Sequence, residues 1–385
     1  MSRIKIEKLV PGGFGLGTLE DGKKAFLFGV LPGEVATEVV LTKKKAKYVE
    51  GFATEVEEKS EFRVLEKDEF YIANSPWQIF RYDFELEEKG KLVQESFRQE
   101  GIEIETPEVE TDGKEYFYRN KMEYALYWDK ETEKIELGIH QRGSHRKMPI
   151  FQSHLERPEI FEAAKKIVLE LNQRHEEARN YQSLVLRTSQ AGNVSGGLLR
   201  NGESHPKFEN LTDSILGVPY SYSPNGFFQI NLPVYELALK QIKEEITTEK
   251  VLDLYSGVGT IGLSVAAGRD LTLVELNKAA FSELEKNAKG RGRAVLAKSE
   301  EALEYIEPEE TVILDPPRAG CEKKLIEKLL EVGPEKIIYL SCNPATQARD
   351  VKALLERYNL KKVRAFNFFP KTPHIENLVI LERKA

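Results

Sequence analysis

The chain has 385 residues, 41% apolar and 31% charged, the balance of a globular protein with material for two or three domains. Two cysteines exclude a disulfide framework and cannot supply the four thiolates of an iron–sulfur cluster, and no apolar run reaches the length of a membrane span. A net charge of −7 weighs against a nucleic-acid partner unless basic residues are gathered locally.

The first residues, Met1-Ser2-Arg3-Ile4-Lys5-Ile6, hold no long apolar stretch, so no secretory signal is expected and a cytoplasmic location follows. No membrane contact is expected, and the chain is expected to act as a monomer.

Residues 1–58 read as β-structure. Ile4 to Val10 alternates, Pro11-Gly12-Gly13-Phe14-Gly15-Leu16-Gly17 turns, and Lys24 to Gly29 forms a second strand. Leu31-Pro32-Gly33-Glu34 turns again, and Val35 to Leu41 alternates. Short strands with Gly and Pro between them suggest a small barrel. The glycine run is not a phosphate loop: it lacks a Gly-Lys-Ser/Thr ending, and no helical pattern follows. The Gly-x-Gly run, the Leu-Pro-Gly-Glu turn and the basic segment Lys43-Lys44-Lys45-Ala46-Lys47-Tyr48 resemble a TRAM domain, an OB-like RNA-binding barrel. Lys43, Lys44 and Lys45 beside an aromatic suit a phosphate backbone with a stacked base. The plainer reading of the same segment is a solvated charged hairpin.

Residues 59–215 read as a mixed α/β central domain. A helix is expected from Tyr82 to about Glu100, with Leu86, Val93 and Phe97 at helical spacing and Gly101 at its end. Tyr116 to Trp128 is rich in strand formers. Gly138-Ile139-His140 opens a loop carrying Arg142, His145, Arg146 and Lys147. A helix from Pro158 to about Ala178 and strands around Leu184–Thr188 follow. His140, His145 and His154 match no standard metal-ligand spacing and have basic neighbours, so phosphate contact is the better reading and no metal is expected.

From 216 to 385 strands and helices alternate, which makes a mostly parallel sheet covered on both faces. The expected strands are Val251–Tyr255, Leu271–Glu275, Ala294–Leu296, Thr311–Leu314, Ile337–Leu340, Lys362–Phe369 and Leu378–Glu382, with helices such as Lys278–Lys289 and Glu322–Val332. Val251 to Tyr255 opens into Ser256-Gly257-Val258-Gly259-Thr260, where glycines let the backbone approach a ligand. The next strand ends on Glu275, placed to accept from ribose hydroxyls. Together they suit a dinucleotide or S-adenosylmethionine, and the missing third glycine weighs against the dinucleotide. Asp315 closes another strand before Pro316-Pro317-Arg318. Ile337 to Leu340 is a buried-strand run that delivers Ser341-Cys342-Asn343-Pro344 to a carboxyl end, where ligands bind in open α/β sheets. Free cysteine is often a plain buried residue, but its place at a strand end before Asn-Pro argues for chemistry.

Asp-Leu-Tyr-Ser-Gly-Val-Gly-Thr, Val-Glu, Asp-Pro-Pro-Arg-Ala-Gly, Ser-Cys-Asn-Pro-Ala-Thr and Phe-Pro-x-Thr-x-His-x-Glu occur in that order, after Phe227-Phe228-Gln229-Ile230-Asn231. This set resembles the RNA uracil-C5 methyltransferase family, which makes 5-methyluridine in tRNA or ribosomal RNA. The resemblance is dense over 216–385, moderate over the barrel and loose between them. It implies a Rossmann-like methyltransferase domain using S-adenosylmethionine, with RNA as partner. It implies Cys342 as nucleophile and Glu376 as the base that removes a proton. It puts Gln229, Tyr255, Gly257, Gly259, Thr260, Glu275 and Asp315 at the cofactor, and Phe227 and Arg119 at the target base or RNA. Many members carry an iron–sulfur cluster just before the glutamine that is here Gln78. This chain reads Asn74-Ser75-Pro76-Trp77-Gln78, without cysteine, so no cluster is expected.

The chemistry needs these residue types. A thiolate added at uracil C6 makes C5 nucleophilic, a methyl group is transferred, and a base removes the C5 proton so that the thiolate can leave. Asp315 could accept from uracil N3–H or touch the cofactor. A base inside folded RNA must flip out to be reached. Cytosine-C5 methyltransferases place their cysteine directly after the proline of the Asp315 motif, where this chain has Pro317. Amino-group methylation needs no cysteine. A non-catalytic RNA-binding protein on this scaffold would not need Cys342 and Glu376 intact. The barrel leans towards ribosomal RNA as substrate over tRNA.

Overall fold

The computed structural model describes residues 3–202 and 208–385. They divide into two compact units. One takes in the chain up to Leu92, Lys114–Glu209 and Phe369–His374; the other takes in Val93–Gly113, Asn210–Phe368 and Ile375–Ala385.

The first unit begins with β1 (Ile4–Val10), β2 (Phe14–Thr18), β3 (Lys24–Phe28), β4 (Val35–Lys44) and β5 (Tyr48–Glu57), closed into a barrel in the order β1-β2-β3-β5-β4. Alternation turns Ile4, Ile6, Ala25, Leu27, Val49 and Ala53 inward. The glycine run differs from expectation. The turn stops at Gly13, and Phe14-Gly15-Leu16-Gly17 is strand. A Cβ on Gly15 would lie 2.5 Å from Val30 Cγ2, and one on Gly17 2.5 Å from Ile4 Cγ2. These glycines are inward strand positions with no room for a side chain. In the Leu31–Glu34 turn the buried Glu34 accepts from Leu31 N at 2.8 Å and pairs with Arg63 at 2.6 Å.

The strand β6 (Val109–Glu110) belongs to the second unit. The first unit continues with β7 (Lys121–Asp129), β8 (Lys134–His140), β9 (Lys147–Pro149), β10 (Tyr181–Thr188) and β11 (Val194–Arg200), in the sheet order β11-β10-β7-β8-β9. The helix Pro158–Gln173 buries Ile160, Phe161, Ala164, Val168 and Leu171, one stripe at helical spacing, against this sheet. It stops short of the expected Ala178 because His175 takes a left-handed φ of 52°. The basic loop after Gly138 is the turn of a hairpin between β8 and β9. Three successive carbonyls of Phe369–His374 are held in this unit: Phe369 O by Lys89 Nζ (3.1 Å), Pro370 O by the Tyr118 hydroxyl (3.0 Å) and Lys371 O by Trp77 N (3.1 Å).

The second unit adds a hairpin, β12 (Leu211–Ile215) and β13 (Val218–Tyr222), and the large sheet. Its strands are β14 (Lys250–Leu254), β15 (Asp270–Glu275), β16 (Arg293–Leu296), β17 (Glu310–Leu314), β18 (Lys336–Ser341), β19 (Tyr358–Phe366) and β20 (Glu376–Arg383). Their order is β16-β15-β14-β17-β18-β20-β19-β6. The strands from β14 to β18 run parallel, and β20 is antiparallel to both neighbours. Buried on both faces, β17 and β18 carry the continuous apolar runs Val312–Leu314 and Ile337–Leu340. From β14 the chain moves outward to β15 and β16, then returns to β17 on the other side. The switch point therefore lies at the carboxyl ends of β14 and β17.

Candidate active site

The carboxyl end of β14 is shaped by its glycines. Tyr255 follows the last strand residue and holds a left-handed φ of 65°, which costs energy for a tyrosine. Gly257 and Gly259 take φ of 58° and 90°. A Cβ on Gly259 would lie 2.7 Å from Leu284 Cδ1, so that glycine lets the turn pack on the helix Lys278–Ala288. A Cβ on Gly257 would point into open space, a cradle where a ligand can approach the main chain. Glu275 closes the cradle: its carboxylate accepts from Gly257 N at 2.8 Å and Asn277 N at 2.6 Å. A carboxylate offers about four acceptor positions, so some remain for ribose hydroxyls. The open glycine turn with a strand-end acid fits S-adenosylmethionine.

Beneath the turn Asp253 accepts from Gly262 N at 2.9 Å through Oδ2, while its buried Oδ1 has no hydrogen-bond partner. Burial, with Asp315 and Glu275 nearby, pushes this carboxyl up to about 8 against the pull of the Gly262 bond. The Thr260 and Tyr235 hydroxyls meet at 2.8 Å, and the Tyr255 hydroxyl donates to Glu300 at 2.5 Å.

Cys342 follows the last residue of β18. The β18–β20 ladder ends on the pair Ser341↔Asn377, so Cys342 comes opposite Glu376 one step beyond it. Asp315 follows the last residue of β17. Burial raises all three acids. It pushes Asp315 up to about 7 and, with Asp315 adding repulsion, holds Glu376 well above the carboxylate range. Burial, then Glu376 and Asp315, push the Cys342 thiol up to about 11, while the Arg318 guanidinium beside it pulls the other way. Arg318 is held in turn: its carbonyl accepts from Asn343 Nδ2 at 2.9 Å and Thr346 Oγ1 at 3.2 Å. The Asp-Pro-Pro-Arg and Cys-Asn-Pro-Ala-Thr runs are thus joined. Cys321 is buried and pushed up to about 12, whereas Cys342 is half-buried.

Phe227 is 73% exposed on the segment after β13, whereas Phe228 is buried with its ring 3.7 Å from that of Tyr222, and Gln229 is buried beside them in the chain. The structure thus brings Cys342, Glu376 and Asp315 into one cluster and Gly257, Gly259, Thr260 and Glu275 around one turn. Arg119, Lys43, Lys44 and Lys45 belong to the first unit. Arg119 is half-buried and its N donates to Leu155 O at 3.1 Å. Lys43 pairs with Glu50 at 2.7 Å and lies over the Tyr48 ring, while Lys44 and Lys45 are exposed. His154 pairs with the buried Asp68 at 2.7 Å, and no group able to hold a metal ion occurs among the described residues. Arg318, Asp253 and Tyr235 were not singled out from the sequence. Arg318 lies inside the Asp-Pro-Pro-Arg motif and Asp253 opens the Asp-Leu-Tyr-Ser-Gly-Val-Gly-Thr motif, but only their surroundings in the fold give them a role; nothing local marks Tyr235.

A family model described as tRNA (Uracil-5-)-methyltransferase matches residues 300–384. An uncharacterized RNA methyltransferase of Caldanaerobacter subterraneus subsp. tengcongensis is 28% identical, across 99% of this chain and 98% of its own length. One from Thermotoga maritima is 26% identical, across 99% of both. Among solved structures, the Pyrococcus abyssi tRNA (uracil-54, C5)-methyltransferase in complex with S-adenosyl-L-homocysteine matches with a TM-score of 0.77 and 25% identity, covering 98% of this chain and 100% of that one.

Proposed function

We propose that this chain is an RNA uracil-C5 methyltransferase and that it methylates C5 of one uridine in a structured RNA through a covalent bond from Cys342 to C6, a reading supported by its likeness to RNA methyltransferases over its full length. The observation that carries this reading is the half-buried Cys342 opposite Glu376, with Arg318 on the thiol.

S-adenosylmethionine supplies, when bound, an electrophilic methyl group and a sulfonium charge that favours the ionised forms of nearby acids. Gly257, Gly259, Glu275, Tyr255, Thr260 and Gln229 hold it in this reading. Arg318 favours the Cys342 thiolate, which adds to C6 and moves electron density through the ring onto C5. After C5 has taken the methyl group, Glu376 removes the C5 proton, the double bond re-forms and the thiolate leaves. Asp315, beside both residues, accepts from uracil N3–H in its ionised form. Phe227, exposed on its segment, stacks on the flipped base. Arg119 and the Lys43–Lys45 patch bind the RNA backbone.

The N-terminal barrel supports ribosomal RNA as substrate. A second reading, tRNA, is favoured by the full-length likeness to the Pyrococcus abyssi tRNA enzyme, which extends over the barrel as well. Mass-spectrometric mapping of 5-methyluridine in total RNA, with and without the gene, tests both. Loss of the modification at one site supports the function and names the substrate; unchanged 5-methyluridine everywhere contradicts it.

A further inference from the structure

Gln347 lies in the helix Pro344–Leu354 that follows Cys342, and its side chain is fully buried. Its Nε2 donates to Tyr339 O at 2.7 Å and to Asn377 O at 3.0 Å, while its Oε1 accepts from Asn377 Nδ2 at 2.6 Å. One amide thus touches β18, three residues before Cys342, and the residue of β20 next to Glu376. Leu340, Leu378 and Ala348, next to these residues in the chain, are all fully buried. Asn377 also keeps a buried Oδ1 without a hydrogen-bond partner. A polar pair kept at that cost asks for a reason.

The end of the ladder supplies one. Cys342 lies just past β18, and Asn343 after it caps the following helix through Ala345 N at 3.3 Å. Glu376 opens β20 and pairs with Phe366 on β19, but towards β18 the pairing stops at Asn377. The Gln347 amide bridges β18 and β20 at this point. We infer that Gln347 and Asn377 are positioning residues that hold β20 against β18, so that Glu376 meets the C5 proton of a pyrimidine joined to Cys342. This rests on the reading of Cys342 and Glu376 given above. Neither amide touches the reacting atoms; each acts through the main chain beside Glu376. Loosening the bridge displaces the base and leaves the nucleophile in place, so the last step slows and the first does not.

Gln347→Met keeps side-chain length and volume and removes all three hydrogen bonds. The full chain is incubated with S-adenosylmethionine and total RNA from cells lacking the gene. The protein–RNA species is followed on denaturing gels, turnover by methyl incorporation, and cofactor binding by calorimetry. The expected result is adduct formation at the parent rate, turnover lower by about 10- to 100-fold, accumulated adduct and unchanged cofactor affinity. Parent-rate turnover, or an equal loss of adduct formation and turnover, overturns the inference. Asn377→Ser removes only the side-chain donor to Gln347 and should give a smaller stall of the same kind; if Gln347→Met does not fold, absence of that stall overturns the inference. Glu376→Gln run in parallel separates the two levels. If it traps adduct and Gln347→Met does not, the positioning role fails alone; if Glu376→Gln traps none, the assignment of the base fails and the positioning role with it.

Discussion

Asp253 shows how much a single buried acid can shape both the turn and its stability. Its carboxyl sits at about 8 in the folded chain against an ordinary value of 3.8. Between those values the folded state binds more protons than the unfolded one, so stability falls as pH rises. The full contribution is present below about 4 and is lost as the pH climbs to about 8. Asp315 and Glu310, both pushed up to about 7 by burial, act in the same direction. Asp253→Asn keeps an acceptor for Gly262 N and removes the titration. It should stabilise the chain by on the order of 2 kcal/mol at pH 8, with little difference near pH 4. Denaturant unfolding at the two pH values checks this. A variant that tracks the parent at both would mean that burial of this charge is not what sets the trend.

The basic hairpin joining β4 to β5 makes its contribution as an element. Lys43 is tied to Glu50, while Lys44, Lys45 and Lys47 are exposed, and the proposed function has them meet phosphates. Replacing these three by alanine should weaken RNA binding and reduce the slope of log affinity against log salt by about 1 for each phosphate that is no longer neutralised. Cofactor affinity should not change. An unaltered salt slope in a filter-binding titration would return the hairpin to a solvated charged surface. Among the elements, the sheet strands were legible because burial on both faces leaves continuous apolar runs such as Ile337–Leu340. The β12–β13 hairpin was not, since Thr212, Ser214 and Ser221 dilute any apolar signal. The two-residue β6 exists only through its pairing with β19, which no local pattern reports. In β2 the glycines looked like a turn, and only the approach of Ile4 and Val30 explains them as strand.

Across the whole molecule, chemistry is drawn from segments far apart in sequence. Asp315, Arg318, Cys342 and Glu376 come from the ends of three strands, and the sheet order brings them into one cluster. Asp315, Cys342 and Glu376 were readable because each stands in a short motif at a strand end, whereas Arg318 gains its role only from its place beside the thiol. Their mutual geometry was not, because the antiparallel insertion of β20 beside β18 is a property of the sheet. The central claim is that Cys342 carries the uridine while Glu376 releases it. The most direct measurement uses Glu376→Gln, incubated with S-adenosylmethionine and total RNA from cells lacking the gene, then digested with nuclease and protease for mass spectrometry. The account predicts a peptide containing Cys342 joined to a uridine that has gained one methyl group, formed only with the cofactor present and absent when Cys342 is also replaced by alanine. A Glu376→Gln protein that turns over at the parent rate with no such peptide, or the same adduct on the peptide of Cys321, would contradict it.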